Sequence, residues 1–197
     1  MDLQWERMQA HLQRRLAVTP VRMRPLRDED LPILYEWSAS PEVARTWMYR
    51  GSTPSFPAFI EHLTRSNVLV QYGFMRSGEL IGFGAIYDAN MAAQRASIRL
   101  LLARAGRPSP FAVDCFAVLA DYAFRTFPLR KLYIEANEDS VRQYARAVGI
   151  YFTEEARLRD FERFGDDWSD LIYLSTDREL FVPRPRQTTF QVTLPDI

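Results

Sequence analysis

The chain has 197 residues, ample for one domain and short for two. Hydrophobic residues make up 47% and aromatics 13%, enough to bury a sizeable core, and 25 Lys and Arg balance 25 Asp and Glu. That balance argues against a nucleic-acid binder, which carries a basic excess. No apolar run reaches the about 18 residues of a membrane span, so no membrane partner is expected. Residues 1–16, MDLQWERMQAHLQRRL, lack the basic-then-apolar layout of a secretion signal. Cys115 is the only cysteine, so no intramolecular disulfide forms. The expectation is a soluble cytoplasmic protein. His11 and His62 lie far apart, and no metal is expected. Lys131 is the only lysine among many arginines, which reads as compositional bias, although a guanidinium fork also suits phosphates.

Trp5, Met8, Leu12 and Leu16 stack on one face of a helix that Pro20 stops. Residues 1–20 are read as a cover helix or, alternatively, a dimer contact or lid. Val21 to Leu26 alternates as a half-buried strand. Asp28, Glu29 and Asp30 then open a helix reaching Ser38, with acids in the first turn where the helix dipole favours them. Glu42 to Pro57 is loop with a short helical turn, and Phe56 to Arg65 is a further helix. Val68 to Arg76 and Glu79 to Tyr87 flank Ser77-Gly78, which predicts a tight hairpin. Ala96 to Ala103 is apolar enough to be a central strand covered on both sides.

Phe111 to Phe127 is helical, with Phe111, Cys115, Val118, Leu119 and Tyr122 on one side, and Pro128 closes it. Lys131 to Ala136 is a strand and Ser140 to Val148 a short helix. Leu158 to Phe164 and Ser169 to Ser175 form a second hairpin around Gly165-Asp166-Asp167. The tail, 183–197, reads as extended, an arm onto a neighbour or a frayed end. The strand-helix-strand unit from Ala96 to Ala136 implies two parallel strands joined by a right-handed crossover. The fold class is α/β, a mixed central sheet with helices on both faces.

These segments in this order resemble the GNAT superfamily of acyltransferases, and within it the branch like the ribosomal-protein N-terminal acetyltransferases. The resemblance covers about Val21 to Leu180, within a domain placed at 21–182. VRMRPLRDEDLPILYEW is similar to that branch's first strand and helix, RSGELIGFGAIYD to its central hairpin, and VLADYAFRTFPLRKLYIEA to its most distinctive stretch. Asn137-x-x-Ser140-x-x-x-Tyr144 followed by Gly149 resembles its next helix. ARLRDFERFGDDWSDLIYLSTDREL resembles the closing hairpin.

The resemblance implies a parallel strand pair that splays at its carboxyl ends. The pantetheine arm of acetyl-CoA, or of another acyl-CoA, would lie in the gap and bond to backbone near Leu101, Leu102 and Ala103. The diphosphate would sit on amides of the loop that opens the next helix, because a helix N-terminus offers free N–H groups and a positive dipole end. An amine acceptor, from a small molecule or a protein N-terminus, would enter from the other side. Transfer would be direct. The first helix and the tail, read apart from the resemblance, suit a homodimer.

One loop departs from the family pattern. Two glycines separated by one residue are expected where Pro108 and Pro110 stand, within Gly106 to Ala112. Proline has no N–H to offer an anion, and each lost bond to a charged partner costs about 1.5–3 kcal/mol. In one reading the amides of Ser109, Phe111, Ala112 and Val113 remain, and Arg104 and Arg107 supply charge. In a second the fold serves another ligand or chemistry. In a third it is a non-catalytic binding module.

Acyl transfer to an amine needs a neutral nucleophile, a stabilised oxyanion and a proton for the departing thiolate. Tyr144 falls seven residues after Asn137, as the family's general-acid tyrosine does. The alternative is a core aromatic on a helix face. Asn137 would bond pantetheine or cap the helix. Where many relatives hold a glutamate, this chain has Ser97 or Arg99, so Glu135 and Asp170 are the other carboxylates available. Each also suits an ordinary strand position. Trp37, Trp47 and Tyr49, with Asp170, would line the acceptor pocket, or the aromatics would pack in the core.

Overall fold

The structure, a computed structural model, describes residues 3–44, 46–49, 51–65, 67–103, 111–144 and 147–182. In chain order the elements are α1 (Leu3–Val18), β1 (Arg22–Pro25), α2 (Asp30–Ala39), α3 (Pro41–Ala44), α4 (Phe56–Leu63), β2 (Val68–Arg76), β3 (Glu79–Asn90) and β4 (Arg95–Leu102). Then come α5 (Ala112–Thr126), β5 (Lys131–Asn137), α6 (Glu138–Tyr144), β6 (Thr153–Phe164), β7 (Asp167–Asp177) and α7 (Arg178–Phe181). Among the described residues no helix is long and apolar enough to cross a membrane.

The strands form one sheet in the order β1-β2-β3-β4-β5-β7-β6. Every neighbouring pair is antiparallel except β4 and β5, which run parallel as the central crossover unit requires. The β2–β3 turn has Ser77 at φ 52° and Gly78 at φ 86°. Positive φ at both central residues matches a tight hairpin to the right-handed twist of its strands.

Apolar residues of alternating strand positions build two clusters, one on each face. Leu12 of α1, Phe116 and Phe124 of α5, Ile98, Leu132 and Leu174 share the first. Leu34 of α2, Phe59 of α4, Trp47, Phe83 and Leu101 share the second. The N-terminal helix closes the first face: Leu12 is fully buried, Arg15 Nε pairs with Asp114 at 2.6 Å, and Gln13 Nε2 donates to the Phe181 carbonyl at 2.7 Å.

Glycine earns its place in β3 by contact. A Cβ added at Gly84 would lie 2.6 Å from Phe74 Cζ and 2.8 Å from Leu119 Cδ2. Phe74 and Leu119 are themselves fully buried, so neither has room to withdraw. Gly84→Ala is expected to lower stability by about 1–3 kcal/mol through overpacking, read as a lower urea midpoint at constant slope.

Several boundaries differ from those the sequence suggests. The second helix starts at Asp30 rather than Asp28, and Asp30 is buried instead of facing solvent at a helix end. The sixth helix starts at Glu138 because Asn137 Oδ1 accepts the Ser140 N–H at 2.9 Å, and it stops at Tyr144 rather than Val148. Strand β3 runs on to Asn90, and β6 begins five residues before Leu158. Strand β6 is the sheet's edge and nearly all its side chains are exposed, so no apolar alternation marks it. The tail, 183–197, lies outside the described residues.

Candidate active site

The β4–β5 ladder is short. It joins Arg95 to Lys131, Ala96 to Leu132 and Ser97 to Tyr133, and then pairing ends although both strands continue, to Leu102 and Asn137. Beyond Ser97 and Tyr133 the two strands therefore part. Strand β4 stays on β3, with the Ala103 N–H donating to the Ile81 carbonyl at 3.0 Å. Successive backbone groups of a strand point to opposite edges. Because Leu101 and Ala103 bond towards β3, Ile98, Leu100 and Leu102 turn their N–H and C=O groups to the gap.

This differs from the expectation for Leu101 and Ala103, whose amides are committed to the sheet, while Leu102 and Leu100 face the gap. A period of two makes the edges alternate. Only the β3–β4 register says which set is free.

A cleft opens at this fork, with about 770 Å³ of empty space counting its open mouth. Its walls are the outer halves of β4 and β5, the Thr46–Met48 segment, Tyr87 of β3, and Ser140 and Tyr144 of α6. Ser140 Oγ donates to the Thr46 carbonyl at 3.5 Å, which ties α6 to the opposite wall.

Tyr144 ends α6 and is only 6% exposed. Its ring meets Phe152 edge-on at 5.6 Å, and no described residue hydrogen-bonds its hydroxyl. Burial pushes its pKa above the ordinary tyrosine value, with the Cys115 thiol adding to the shift, so the phenol holds its proton through neutral pH. Cys115 is pushed up to about 12 by the same burial and by Asp114, which leaves it a protonated core side chain.

The face of the sheet under α2–α4 carries the polar groups. Arg99 lies over the Tyr87 ring at 4.3 Å and the Trp47 ring at 5.8 Å, and its Nη1 donates to Met48 Sδ at 3.2 Å. Glu135 is exposed on the cleft wall opposite Tyr173 of β7. Burial raises the pKa of Tyr87; Arg99 opposes that rise and Glu135 adds to it, which sets all three within one field.

Trp47 is at the cleft, 4% exposed. Tyr49 stands behind it, edge-on at 6.4 Å, with its hydroxyl 3.2 Å from His62 Nδ1; it is absent from the cleft wall. Trp37 packs against the α2–α4 cluster and also does not line the cleft. Asp170 departs furthest from expectation. It takes Arg157 Nη1 at 3.2 Å and the Asp160 N–H at 3.1 Å inside the β6–β7 hairpin, which lowers its pKa and leaves it no place at the cleft. Asp160 has φ 47° where the β6–β7 register shifts, and a carboxylate there satisfies the irregular backbone.

At the start of α5, Phe111 is the N-cap residue and makes no side-chain cap. The first N–H groups of a helix have no intrahelical acceptor, so those of Ala112 and Val113 are available to an anion. Arg76 lies over the Phe111 ring at 4.2 Å and brings a cation to this end. Arg104, Arg107, Pro108, Ser109 and Pro110 lie outside the described residues.

No curated protein matches the chain in sequence. Among solved structures, it is similar to a chimera of the spermidine N-acetyltransferase SpeG from Vibrio cholerae and hSSAT, at 16% identity and a TM-score of 0.70, over 84% of this chain and 100% of that one. It is also similar to the Vibrio cholerae spermidine N-acetyltransferase in complex with CoA and spermine, at 17% identity and a TM-score of 0.69, over 82% of this chain and 98% of that one. At such identity these likenesses speak for the fold. The family model for the acetyltransferase (GNAT) domain matches residues 21–147, more than half of the chain and the whole span from β1 through the splayed strands to α6. The chain therefore belongs to the GNAT acetyltransferase family and is a GNAT-type N-acetyltransferase.

Proposed function

We propose that the chain transfers an acyl group, acetyl first of all, from a coenzyme-A thioester directly to the amine of a small molecule or a protein N-terminus. The observation that carries this reading is the fork itself: a parallel ladder that stops at Ser97 and Tyr133 while both strands run on around a cleft. Backbone groups of Leu100 and Leu102 face the gap and match the amides of a pantetheine arm. The N-terminus of α5, at Phe111, Ala112 and Val113, takes the diphosphate, with Arg104, Arg107 and Ser109 of the preceding loop adding donors. Asn137 holds the start of α6, and so the position of Tyr144. The finer placement, beside the ribosomal-protein N-terminal acetyltransferases, draws support from the segments Val21–Trp37 and Ala156–Leu180.

The amine nitrogen attacks the thioester carbonyl carbon, the oxyanion collapses, and the carbon–sulfur bond breaks. Tyr144, buried and protonated, donates to the thiolate sulfur. Glu135, exposed on the cleft wall, takes the proton that the amine sheds. Titration of acetyl-CoA by calorimetry is the direct test. Saturable binding in the micromolar range, with thiol release once an amine is added, is the expected result. Absence of heat at millimolar ligand would remove the reading.

A further inference from the structure

We infer that the amine acceptor carries its own carboxylate, which Arg99 receives inside the cleft; this rests on the N-acyltransferase reading above and narrows its acceptor.

Arg99 stands at the middle of β4, on the wall of the cleft, half-buried. Its guanidinium is held from several sides by weak partners only: the Tyr87 ring at 4.3 Å, the Trp47 ring at 5.8 Å and the Met48 sulfur at 3.2 Å. No carboxylate among the described residues comes within 4.0 Å of it. The other half-buried arginines differ: Arg15 and Arg24 each pair with a carboxylate, and Arg178 donates to the Phe127 and Leu129 carbonyls. A half-buried cation that has neither an anion nor a carbonyl acceptor is costly.

The rings also bear on how Arg99 is offered, its Cζ lying 4.3 Å from the Tyr87 ring centre. A guanidinium that lies over an aromatic ring still has N–H groups able to grip a carboxylate with two bonds. A sulfur is a weak acceptor that a carboxylate readily displaces. Glu135, on β5, lines the same cleft and attracts the ammonium form of the acceptor. A guanidinium and a carboxylate in one cleft complement a zwitterion, so the acceptor is of amino-acid type. A polycationic amine, such as the spermine held by the Vibrio cholerae enzyme, would meet a like charge at Arg99.

Acetylation is measured with paired acceptors that differ by a carboxylate: phenylalanine against phenethylamine, glutamine against 4-aminobutyramide, with spermidine alongside. The ratio of kcat/KM within each pair is compared between the wild type, Arg99→Gln and Arg99→Lys, so that differences in amine basicity cancel. The wild type is expected to favour the carboxylate partner. Arg99→Gln should erase that preference by about 10- to 100-fold, mostly through KM, and Arg99→Lys should retain part of it. A preference that Arg99→Gln does not change, or faster transfer to spermidine than to any amino acid, overturns the inference.

A second readout uses the wild type without turnover. In the presence of CoA, N-acetylphenylalanine should bind and N-acetylphenethylamine should bind at least about tenfold more weakly. Equal binding overturns the carboxylate inference and leaves the acyltransferase reading standing. Failure to bind CoA itself removes both.

Discussion

Tyr144→Phe is expected to lower kcat by about 100-fold or more while leaving the protein as stable as before. A positioned general acid contributes about 10²–10⁴-fold, and Tyr144 lines the cleft. Its pKa stands above the ordinary tyrosine value, first because the ring is buried and then because of Cys115, so the acid form is present across the working range. The hydroxyl has no hydrogen-bond partner among the described residues, and the ring keeps its edge-on contact with Phe152. Removing the oxygen alone therefore breaks no packing.

Two measurements separate the roles: steady-state thiol release, and the urea midpoint of the same variant. Loss of turnover at an unchanged midpoint supports a proton donor. Unchanged turnover would reduce Tyr144 to a core aromatic, the other reading its helical position allows. Because the phenol stays protonated to high pH, the upper limb of the rate–pH profile should not carry an ordinary tyrosine titration.

The second large effect concerns stability. Asp30 is 2% exposed, and its carboxylate takes Arg24 Nη1 at 2.6 Å, Arg24 Nη2 at 2.8 Å and the Arg27 N–H at 2.8 Å. The pair joins β1 to the first turn of α2. Asp30→Ala leaves a largely covered guanidinium and a backbone N–H without their acceptor, and should cost about 2–4 kcal/mol at neutral pH. The bond from Arg24 holds the Asp30 pKa below its ordinary value.

In acid the unfolded chain thus binds this proton more readily than the folded one. The contribution of Asp30 is whole above the ordinary carboxyl value near pH 4 and is lost as the pH falls through the lower folded value. Urea unfolding of the wild type and Asp30→Asn at steps from pH 7 to pH 2.5 should show the gap between them wide at the top and closing at the acid end. A gap independent of pH would mean that packing, not the ion pair, is what Asp30 provides.

Asp30 also illustrates where reading the chain in one dimension stops. Acids in a first helical turn suggest a solvated end tuned to the helix dipole, whereas Asp30 turns inward because β1 brings Arg24 to it. Asp170 fails in the opposite direction. As an acid on the last strand it is a reasonable guess for an acceptor site, but a bulge next to it claims both its oxygens for Arg157 and a backbone N–H. Trp37 and Tyr49 are aromatic and nearby in sequence to Trp47, and only Trp47 reaches the cleft.

Local pattern was enough for most of the fold. The Ser77-Gly78 turn dictates the β2–β3 hairpin, helical spacing marks α1, α4 and α5, and the strand-helix-strand unit forces a parallel pair. Each depends on residues a few positions apart, where sterics and hydrogen-bond geometry act directly. The order of these segments then carries the family. Which edge of β4 is open, how far the β4–β5 ladder runs, and that Arg99 lies over the Tyr87 ring in the cleft with no described carboxylate in ion-pair contact are matters of register between strands far apart in the chain. A shift of one residue in that register would exchange Leu102 for Leu101 at the gap and turn Arg99 to the opposite face of the sheet, because a strand's two faces and edges alternate with every residue. Tertiary packing alone sets that register, and the chemistry of the site follows from it.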